Sequence, residues 1–360
     1  MNLYDAHRQW ARRPADERFH SLGVLAAALH ERRELSRETA ALAGETRVAC
    51  DDRGELYLES RGARYRFTNW SFDQLCERAS APTRFMMALR PETAALVLNE
   101  RLPDESPGKL FSMDHGNGAI LRAVTSHRYG RIWDADVVEA VRRVVEDNPR
   151  WHNPPECHPV TGETRPGGLY AGDRDIFLFL IDGGSVYEEG PRAVLHRGLI
   201  ITNSEVGNSR LTLMTFPFNV VCGNHIVYGA QEINLLGLRH DHSGPERFRN
   251  QFVPALVRFM NGAVDVGVVR RAQQVGLRAL PRLGHHEALD ADWMKDLART
   301  YGFSLAEVHS AMEHAVREEG KCNTVWDLVQ GMTERARENP YQDTRLELEW
   351  RAARLLTCLN

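Results

Sequence analysis

The sequence has no C-x-x-C pair and no regular spacing among its six cysteines. Small disulfide-stapled domains and zinc ribbons are built on closely spaced cysteines, so both classes are excluded. Residues 1–30 also lack the succession of basic, apolar and small residues that forms a signal peptide. We therefore expect a cytoplasmic protein with reduced thiols.

Long apolar runs are missing as well. Even the run from Ile176 to Ile181 encloses only six apolar residues between Asp175 and Asp182. A helix needs about 20 such residues to cross a bilayer. The sequence therefore predicts that the protein has no membrane partner.

The chain has little net charge of either sign. Its 45 lysines and arginines stand against 49 aspartates and glutamates, which gives a formal net charge of −4. No long-range cationic field therefore attracts nucleic acid, and any site for a polyanion has to be a local patch.

Common catalytic motifs are also absent. The sequence contains no G-x-x-x-x-G-K-[ST] phosphate loop, no H-E-x-x-H helix and no G-x-S-x-G elbow. We therefore expect a protein that works by binding, without a cofactor and without a metal.

The residues that are present are typical of a globular fold, with 42% hydrophobic and 26% charged. Strands are predicted at Ala119 to Thr125, at Ile176 to Ile181, and in a hairpin that joins Leu199 to Thr202 with Leu211 to Phe216. We expect an α+β fold whose central mixed or antiparallel sheet is flanked by an N-terminal helical region and a C-terminal helical bundle. The corresponding domains are 1–108, an N-terminal helical and hairpin region; 109–243, the sheet domain; and 244–360, the C-terminal helical region.

Local patterns predict further elements in the first half of the chain. They are a helical segment from Pro14 to about Gly44, a hairpin over Arg47 to Phe67, a helix capped by Ser71 with Gln74 three residues on, and a helix from Thr83 to Asn99.

The second half is predicted to be mainly helical outside the sheet. Valines between Val137 and Val145 form one stripe of a helix that opens at Asp136, and the prolines and glycines between Asn148 and Asp173 predict a long loop. Further helices are predicted over Phe218 to Tyr228, from Pro245 toward Arg278, and at Ser304 to Glu319, Val325 to Glu338 and Asp343 to Leu359.

One short segment is the best local match to a polyanion contact. It contains Arg122, His127, Arg128, Tyr129 and Arg131. Arginine forks pair with phosphate, and a tyrosine ring can stack on a base. The alternative is that these side chains form surface salt bridges with nearby carboxylates such as Asp134 and Asp136.

A second candidate lies where a strand is predicted to end, at Asn203, Ser204 and Glu205 before Val206 and Gly207. The Glu205 carboxylate can take a metal or a base edge, and Asn203 can hydrogen-bond to either. The alternative is an Asx-type turn, which satisfies its own backbone before the next strand.

Asn224 and His225 are further candidate contacts to nucleic acid. Cys222 and His225 are three residues apart, so a zinc ion could bridge them in a helix, but no recognised spacing supplies two more ligands. A buried cysteine and a hydrogen-bonded histidine also pack well without metal. No metal site is therefore predicted.

Arg270 and Arg271 belong to a second basic zone that continues to Arg278 and Arg282 near helical spacing. A solvated helix face explains such a run. The alternative is a positively charged groove that this zone shares with the segment from Arg122 to Arg131.

Four ordered stretches carry a family resemblance. They are FTNWSFDQLCERASAP at Phe67 to Pro82, LRAVTSHRY at Leu121 to Tyr129, NSEVG through CGNHIV at Asn203 to Val227, and WDLVQGMTERAR at Trp326 to Arg337 followed by RLELEWRAA at Arg345 to Ala353. On these stretches the chain resembles the phage- and plasmid-borne family designated domain of unknown function 932. The first sixty residues fall outside the likeness.

The resemblance implies a role on mobile elements and does not supply a reaction. The predicted strands, hairpin and helix are also similar in topology to single-strand-annealing recombinases, whose β-β-β-α core binds DNA and which form rings. From these likenesses we predict non-catalytic binding of single-stranded DNA in recombination, by a homo-oligomer.

Two alternatives stay open. One is an interaction, scaffolding or counter-defence protein without affinity for nucleic acid. The other is a metal-dependent nuclease in which Asp173, Asp175 and Glu205 share a divalent ion.

Overall fold

The computed structural model describes most of the chain. The described residues are 14–41, 44–102, 108–115, 118–157, 164–188, 194–219, 234–262, 278–281, 290–337, 351–352 and 355.

Strands occur along most of the first 240 residues. In chain order the described strands are β1 (Arg18–Phe19), β2 (Ser36–Ala41), β3 (Thr46–Cys50), β4 (Leu56–Ser60), β5 (Ala63–Phe67), β6 (Gly108–His115), β7 (Gly118–Ser126), β8 (Trp151–His152), β9 (Pro155–Cys157), β10 (Thr164–Pro166), β11 (Leu169–Ala171), β12 (Ile176–Glu188), β13 (Val194–Asn203), β14 (Leu211–Asn219) and β15 (Asn234–Leu238).

Helices lie between these strands along the chain and also follow the last of them. The described helices are α1 (Leu22–Leu35), α2 (Asn69–Arg78), α3 (Thr83–Ala88), α4 (Pro91–Arg101), α5 (Asp134–Asp147), α6 (Gly244–Arg247), α7 (Val253–Asn261), α8 (Ala291–Tyr301), α9 (Leu305–Glu319) and α10 (Val325–Arg337), with a π turn at Phe248–Phe252 between α6 and α7.

The larger sheet among the described residues has seven antiparallel strands. Its order is β1-β11-β12-β13-β14-β15, and β8 pairs with β12 off this path. The register places Ile176 opposite Asn203 and Leu211 opposite Leu238. The start of β12, the end of β13, the start of β14 and the end of β15 therefore lie together at one end of the sheet.

The second sheet has six described strands in the order β2-β6-β7-β5-β4-β3. It is mixed, because β5 and β7 run parallel while the other pairs are antiparallel. Its edge at β3 is protected by α4: the Asn99 side-chain amide donates to the Val48 carbonyl at 2.8 Å and accepts from the Val48 amide at 2.8 Å. An edge strand covered in this way presents fewer unpaired backbone groups to another chain.

Three larger apolar cores and one small cluster, of Phe111, Ala123 and Val206, hold the described elements together. In the first, α1, α5 and the π turn pack on the larger sheet through residues such as Leu25, Val138 and Phe252. In the second, α2 and α4 pack on the six-stranded sheet through residues such as Leu75 and Leu98. The third core joins α8, α9 and α10. Full burial of each such apolar side chain contributes about 1.5–3 kcal/mol.

The predicted α+β class is confirmed, with two principal sheets where one was expected. The buried strand at Ile176 to Ile181 and the antiparallel pairing of β13 with β14 are confirmed, as are the helices that begin after Ser304 and at Val325. The hairpin over Arg47 to Phe67 is confirmed and gains a third strand, because β5 pairs with β4.

Three local predictions were wrong in the N-terminal third. The helix that begins at Leu22 ends at Leu35, and the following residues form β2 because they pair with β6. Thr68, not Ser71, caps α2, since the Thr68 hydroxyl accepts from the Ser71 amide and the Ser71 hydroxyl accepts from the Thr68 amide. The helix predicted over Thr83 to Asn99 is broken before Pro91, where a proline cannot continue the preceding helix.

The predictions for the second half had different outcomes. The prediction of a loop from Asn148 to Asp173 was wrong, since the described part of this segment contains four short strands. Two of them, β9 and β10, pair with each other, while β8 pairs with β12 and β11 pairs with β1 and β12. In place of the helix predicted from Phe218, strand β14 continues through Asn219, and the rest of that segment lies outside the described residues. The helical stretch predicted after Pro245 is confirmed as far as Asn261, where it includes the π turn, and most of its predicted continuation toward Arg278 lies outside the described residues.

The predicted boundary after residue 108 falls at the first residue of β6. No described helix combines the length and the apolar character that crossing a membrane requires.

A close approach between α9 and α10 requires a glycine. A Cβ atom added at Gly331 would lie 1.8 Å from the Ala311 carbonyl oxygen and 2.9 Å from the Ala315 amide nitrogen. Because both are backbone atoms, the helices would have to separate. We predict that Gly331→Ala lowers the free energy of unfolding by about 1–3 kcal/mol in urea denaturation.

Gly23 in α1 is the matched control, since its added Cβ would meet nothing closer than 4.0 Å. Gly23→Ala is expected to leave the protein unchanged or to stabilise it by up to about 1 kcal/mol. Equal stability of the two variants would contradict the close approach of α9 and α10.

Candidate functional site

The two segments singled out in the sequence meet where the six-stranded and seven-stranded sheets join. Arg122 lies in β7 of the smaller sheet, Arg131 lies just before α5, and Glu205 follows the last residue of β13 in the larger sheet. These three residues are 5%, 6% and 3% exposed. The candidate residues therefore form an interior cluster, not a surface patch.

The Glu205 carboxylate is the centre of this cluster. Its Oε1 atom accepts hydrogen bonds from Arg122 Nη1 and from Arg131 Nη2, the second at 2.8 Å. Its Oε2 atom accepts from the Asp134 amide at 3.3 Å, at the start of α5. One carboxylate thus joins β7, the segment before α5 and the end of β13.

Opposite charges keep Glu205 ionised. Burial alone would raise the pKa of Glu205, but the charges and hydrogen bonds of Arg122 and Arg131 outweigh it and lower the pKa to about 2. Burial and the charge of Glu205 have the opposite effect on Asp134 and raise its pKa well above the usual range. The cluster therefore separates the pKa values of two neighbouring carboxyl groups.

Arg131 also stacks on aromatic rings. Its guanidinium carbon lies 3.6 Å from the centroid of the Trp133 ring and 4.6 Å from that of Phe111. Its Nε and Nη1 atoms have no hydrogen-bond partner within the described part of the chain. Cation–π attraction to the two rings offsets part of the cost of burying this charge.

Asn203 and Ser204 fix the turn that carries Glu205. The Asn203 amide donates to the Ile132 carbonyl at 2.9 Å and to Asp134 Oδ1 at 2.8 Å. The Ser204 hydroxyl donates to the Arg174 carbonyl at 2.5 Å and accepts from the Asn208 amide at 2.8 Å. Ser204 therefore behaves as the alternative interpretation expected, since its hydroxyl satisfies a backbone amide within the turn.

The same turn is held from the side of the smaller sheet. The Val206 carbonyl accepts from Trp70 Nε1 at 3.0 Å and from Gln74 Nε2 at 2.9 Å. The Tyr129 hydroxyl donates to the Ser204 carbonyl at 3.1 Å, and its ring is stacked on His240 at 5.2 Å. Polar groups of α2 and of the segment after β7 therefore position residues 204–206.

The other predicted site residues are distributed differently. His127 and Arg128 are exposed, and Tyr129 is half-buried. Asn224, His225, Arg270 and Arg271 lie outside the described residues, so a groove shared between the two basic zones stays a prediction. In the arrangement described, Arg122 and Arg131 are turned inward, away from any polyanion in solvent.

The alternative for the segment from Arg122 to Arg131 was a set of surface salt bridges to carboxylates such as Asp134 and Asp136. The arginines form salt bridges, but with another partner. Arg122 and Arg131 pair with Glu205. Asp136 pairs instead with Arg33, whose Nη1 atom lies 2.5 Å from Asp136 Oδ1. The sequence did not indicate these partners, because each pair joins residues that are more than 70 positions apart.

Exposed arginines that the sequence patterns did not single out lie at the same end of the seven-stranded sheet. Arg174 precedes β12, Arg210 directly precedes β14, and Arg239 directly follows β15. Arg128 lies near them, because its neighbour Tyr129 is close to the turn between β13 and β14. A Cβ atom added at Gly207 in that turn would lie 3.5 Å from the Tyr129 ring. We call Arg128, Arg174, Arg210 and Arg239 the sheet-end surface.

The sheet-end surface is open and basic. All four of its arginines are exposed, and within the described residues none of them forms an ion pair. Asp173, which is exposed, and Asp175, which is half-buried, lie at the same end. The half-buried Trp70 borders the surface, with the Arg174 guanidinium 5.4 Å from its ring centroid.

The arrangement gives little support to the nuclease alternative. Both oxygens of Glu205 already accept hydrogen bonds in the interior. Over the part of the chain that the structure describes, no three His, Cys, Asp or Glu side chains are placed to hold a metal ion together.

A shallow groove of about 430 Å³ lies between α1 and α5. It is lined by Gly23, Ala26, His30, Glu139, Arg142 and Arg143. Its two arginines already pair with Glu139, so the groove offers little uncompensated charge.

No family model, no curated protein and no solved structure matches this chain. The family resemblance drawn from the four sequence stretches stays a prediction. The candidate site is therefore defined by its geometry.

We predict that Glu205→Gln destabilises the protein strongly. At neutral pH the loss is expected to be about 3–5 kcal/mol, because two buried guanidinium groups are left without their counter-charge. The folded-state pKa of Glu205 is lowered from 4.5 to about 2, so its stabilising effect is present above pH 4.5 and disappears as the pH falls toward 2. The free energy of unfolding can be measured by urea denaturation at pH 7 and at pH 3. Between these two values the variant should lose less stability than the unaltered protein does.

Glu38→Gln is the matched control. Glu38 pairs with Lys109 at 2.9 Å, but its side chain is 40% exposed. Solvent screening limits the expected loss to at most about 1 kcal/mol. A Glu205→Gln variant as stable as this control would show that the buried cluster does not hold the two sheets together.

Proposed function

We propose that this protein binds single-stranded nucleic acid without catalysing a reaction, and that the sheet-end surface binds the phosphate backbone. The observation that carries the proposal is the group of four exposed arginines at one end of the seven-stranded sheet, none of which forms an ion pair within the described residues. Arginine pairs with phosphate through two parallel hydrogen bonds, and arginines without an acidic partner are available for such bonds.

A local patch fits the charge of the whole chain. With a formal net charge of −4, the protein does not attract a polyanion from a distance. Binding of phosphate then depends on counterions released where the arginines lie, which makes the affinity strongly dependent on salt.

The buried cluster of Arg122, Arg131 and Glu205 holds in place the turn that lies next to the sheet-end surface. Ser204 and Glu205 anchor the turn between β13 and β14 to the smaller sheet and to α5. Arg174 and Arg210 flank that turn, since Ser204 bonds to the Arg174 carbonyl and Arg210 directly precedes β14. Arg122 and Arg131 accordingly act as supports, whereas Arg128 belongs to the binding surface.

The wider biological setting of the proposal rests on the resemblance to the phage- and plasmid-borne family. It includes recombination or single-strand annealing on mobile elements, a cytoplasmic location and assembly into a homo-oligomer.

A protein-interaction role without affinity for nucleic acid is the second candidate. Phe85 and Met87 in α3 are 58% and 64% exposed, and large apolar side chains of this kind are common in protein interfaces. Binding of a single-stranded oligonucleotide at low salt distinguishes the two candidates. A nucleic-acid-binding protein binds it, and a protein with only an interaction role does not.

We predict that the double variant Arg210→Ala, Arg239→Ala binds single-stranded oligonucleotides more weakly. In a plot of log affinity against log salt concentration, the slope should decrease by about 0.7 for each phosphate that the variant no longer neutralises. Fluorescence anisotropy with a labelled oligothymidylate between about 50 mM and 200 mM salt measures both quantities.

The control is the double variant Lys295→Ala, Arg299→Ala, which removes the same charge from α8. Both side chains are exposed, and their ion pairs lie within that helix. Its affinity and salt slope should equal those of the unaltered protein. An equal reduction of affinity in both double variants would mean that overall charge, not the sheet-end surface, governs binding.

A further inference from the structure

We infer that Arg174 recognises unpaired bases by stacking a base against its guanidinium plane. The inference rests on the proposed function and assigns to Arg174 a role beyond pairing with phosphate. It makes the site selective for single strands.

The position of Arg174 is unlike that of the other sheet-end arginines. Its guanidinium lies over the Trp70 ring, 5.4 Å from the centroid, while the side chain remains exposed. Within the described residues the guanidinium forms no ion pair and no hydrogen bond. The guanidinium is therefore close to one aromatic ring and has no other partner among the described residues.

Trp70 and the backbone of Arg174 are both hydrogen-bonded to the same turn, residues 204–206. Trp70 donates its indole N–H to the Val206 carbonyl at 3.0 Å, and it lies in the first turn of α2, which Thr68 caps. The Arg174 backbone carbonyl accepts from the Ser204 hydroxyl at 2.5 Å. Residues 204–206 hold the ring and the arginine backbone together, so the Arg174 side chain is the part that is still to be ordered when a ligand stacks on it.

The chemistry of such a stack favours unpaired bases. A guanidinium is planar and stacks on aromatic faces, whereas a lysine ammonium is a compact point charge. In a single strand each base has an accessible π face, while neighbouring base pairs cover that face inside a duplex. All four bases have this face, so the stack should show little sequence preference.

The variant Arg174→Lys separates stacking from charge, because it keeps the cation and removes the plane. The probes are an oligothymidylate and an abasic oligonucleotide of the same length, which carries the same phosphates without bases. We predict that Arg174→Lys weakens binding of the oligothymidylate by about 5- to 100-fold, the usual range for one stacked base. Binding of the abasic probe should weaken only by the smaller factor that loss of one arginine fork to phosphate causes, and the salt slope with either probe should not change because the charge is kept.

Arg210→Lys is the matched control, since Arg210 has no aromatic ring beneath it among the described residues. Because Arg210 belongs to the phosphate-binding surface, loss of its guanidinium fork should weaken binding of both probes by the same small factor. If Arg174→Lys binds both probes normally, or is weakened by the same factor on both, then Arg174 does not stack on a base and the inference is wrong. If the unaltered protein binds neither probe at low salt, the proposed function itself is wrong.

Discussion

The structure depends on one carboxylate placed between two buried guanidinium groups. Glu205 accepts from Arg122 in the six-stranded sheet and from Arg131 before α5, while its own backbone continues from the seven-stranded sheet. In a low-dielectric interior an unpaired charge is costly, so each of these groups requires the others. The sheets therefore have one favourable relative position, and the turn after β13 is held rigidly in it.

The turn after β13 links the buried cluster to the exposed strand ends, because it carries Glu205 and lies beside Arg174 and Arg210. The turn that carries Glu205 also receives hydrogen bonds from Trp70, Gln74 and Tyr129. Arginines at the neighbouring strand ends lie beside this turn. In the proposed function, the residues around Glu205 therefore support the binding surface and are not part of it.

Much of the fold followed from local sequence patterns, and parts of the site did as well. An unbroken apolar run between two aspartates identified the strand at Ile176, and clustered polar and charged residues identified the segments that contain Arg122 and Glu205. Their pairing could not be predicted, because it depends on an interaction between residues 83 positions apart. Arg174, Arg210 and Arg239 were missed because they are isolated in sequence, although Arg174 and Arg210 stand just before predicted strands, which is a pattern that can reveal them.

The central claim is that single-stranded nucleic acid lies on the sheet-end surface beside Trp70. Photo-crosslinking of an oligonucleotide that contains 5-iodouracil, followed by mass spectrometry of the attached peptides, tests it most directly. Crosslinks are expected to be concentrated on Trp70, on Tyr129 and on the peptides that contain Arg174 and Arg210. Crosslinks confined to the C-terminal helices α8 to α10, or to the outer strands β3 and β4, would contradict this claim.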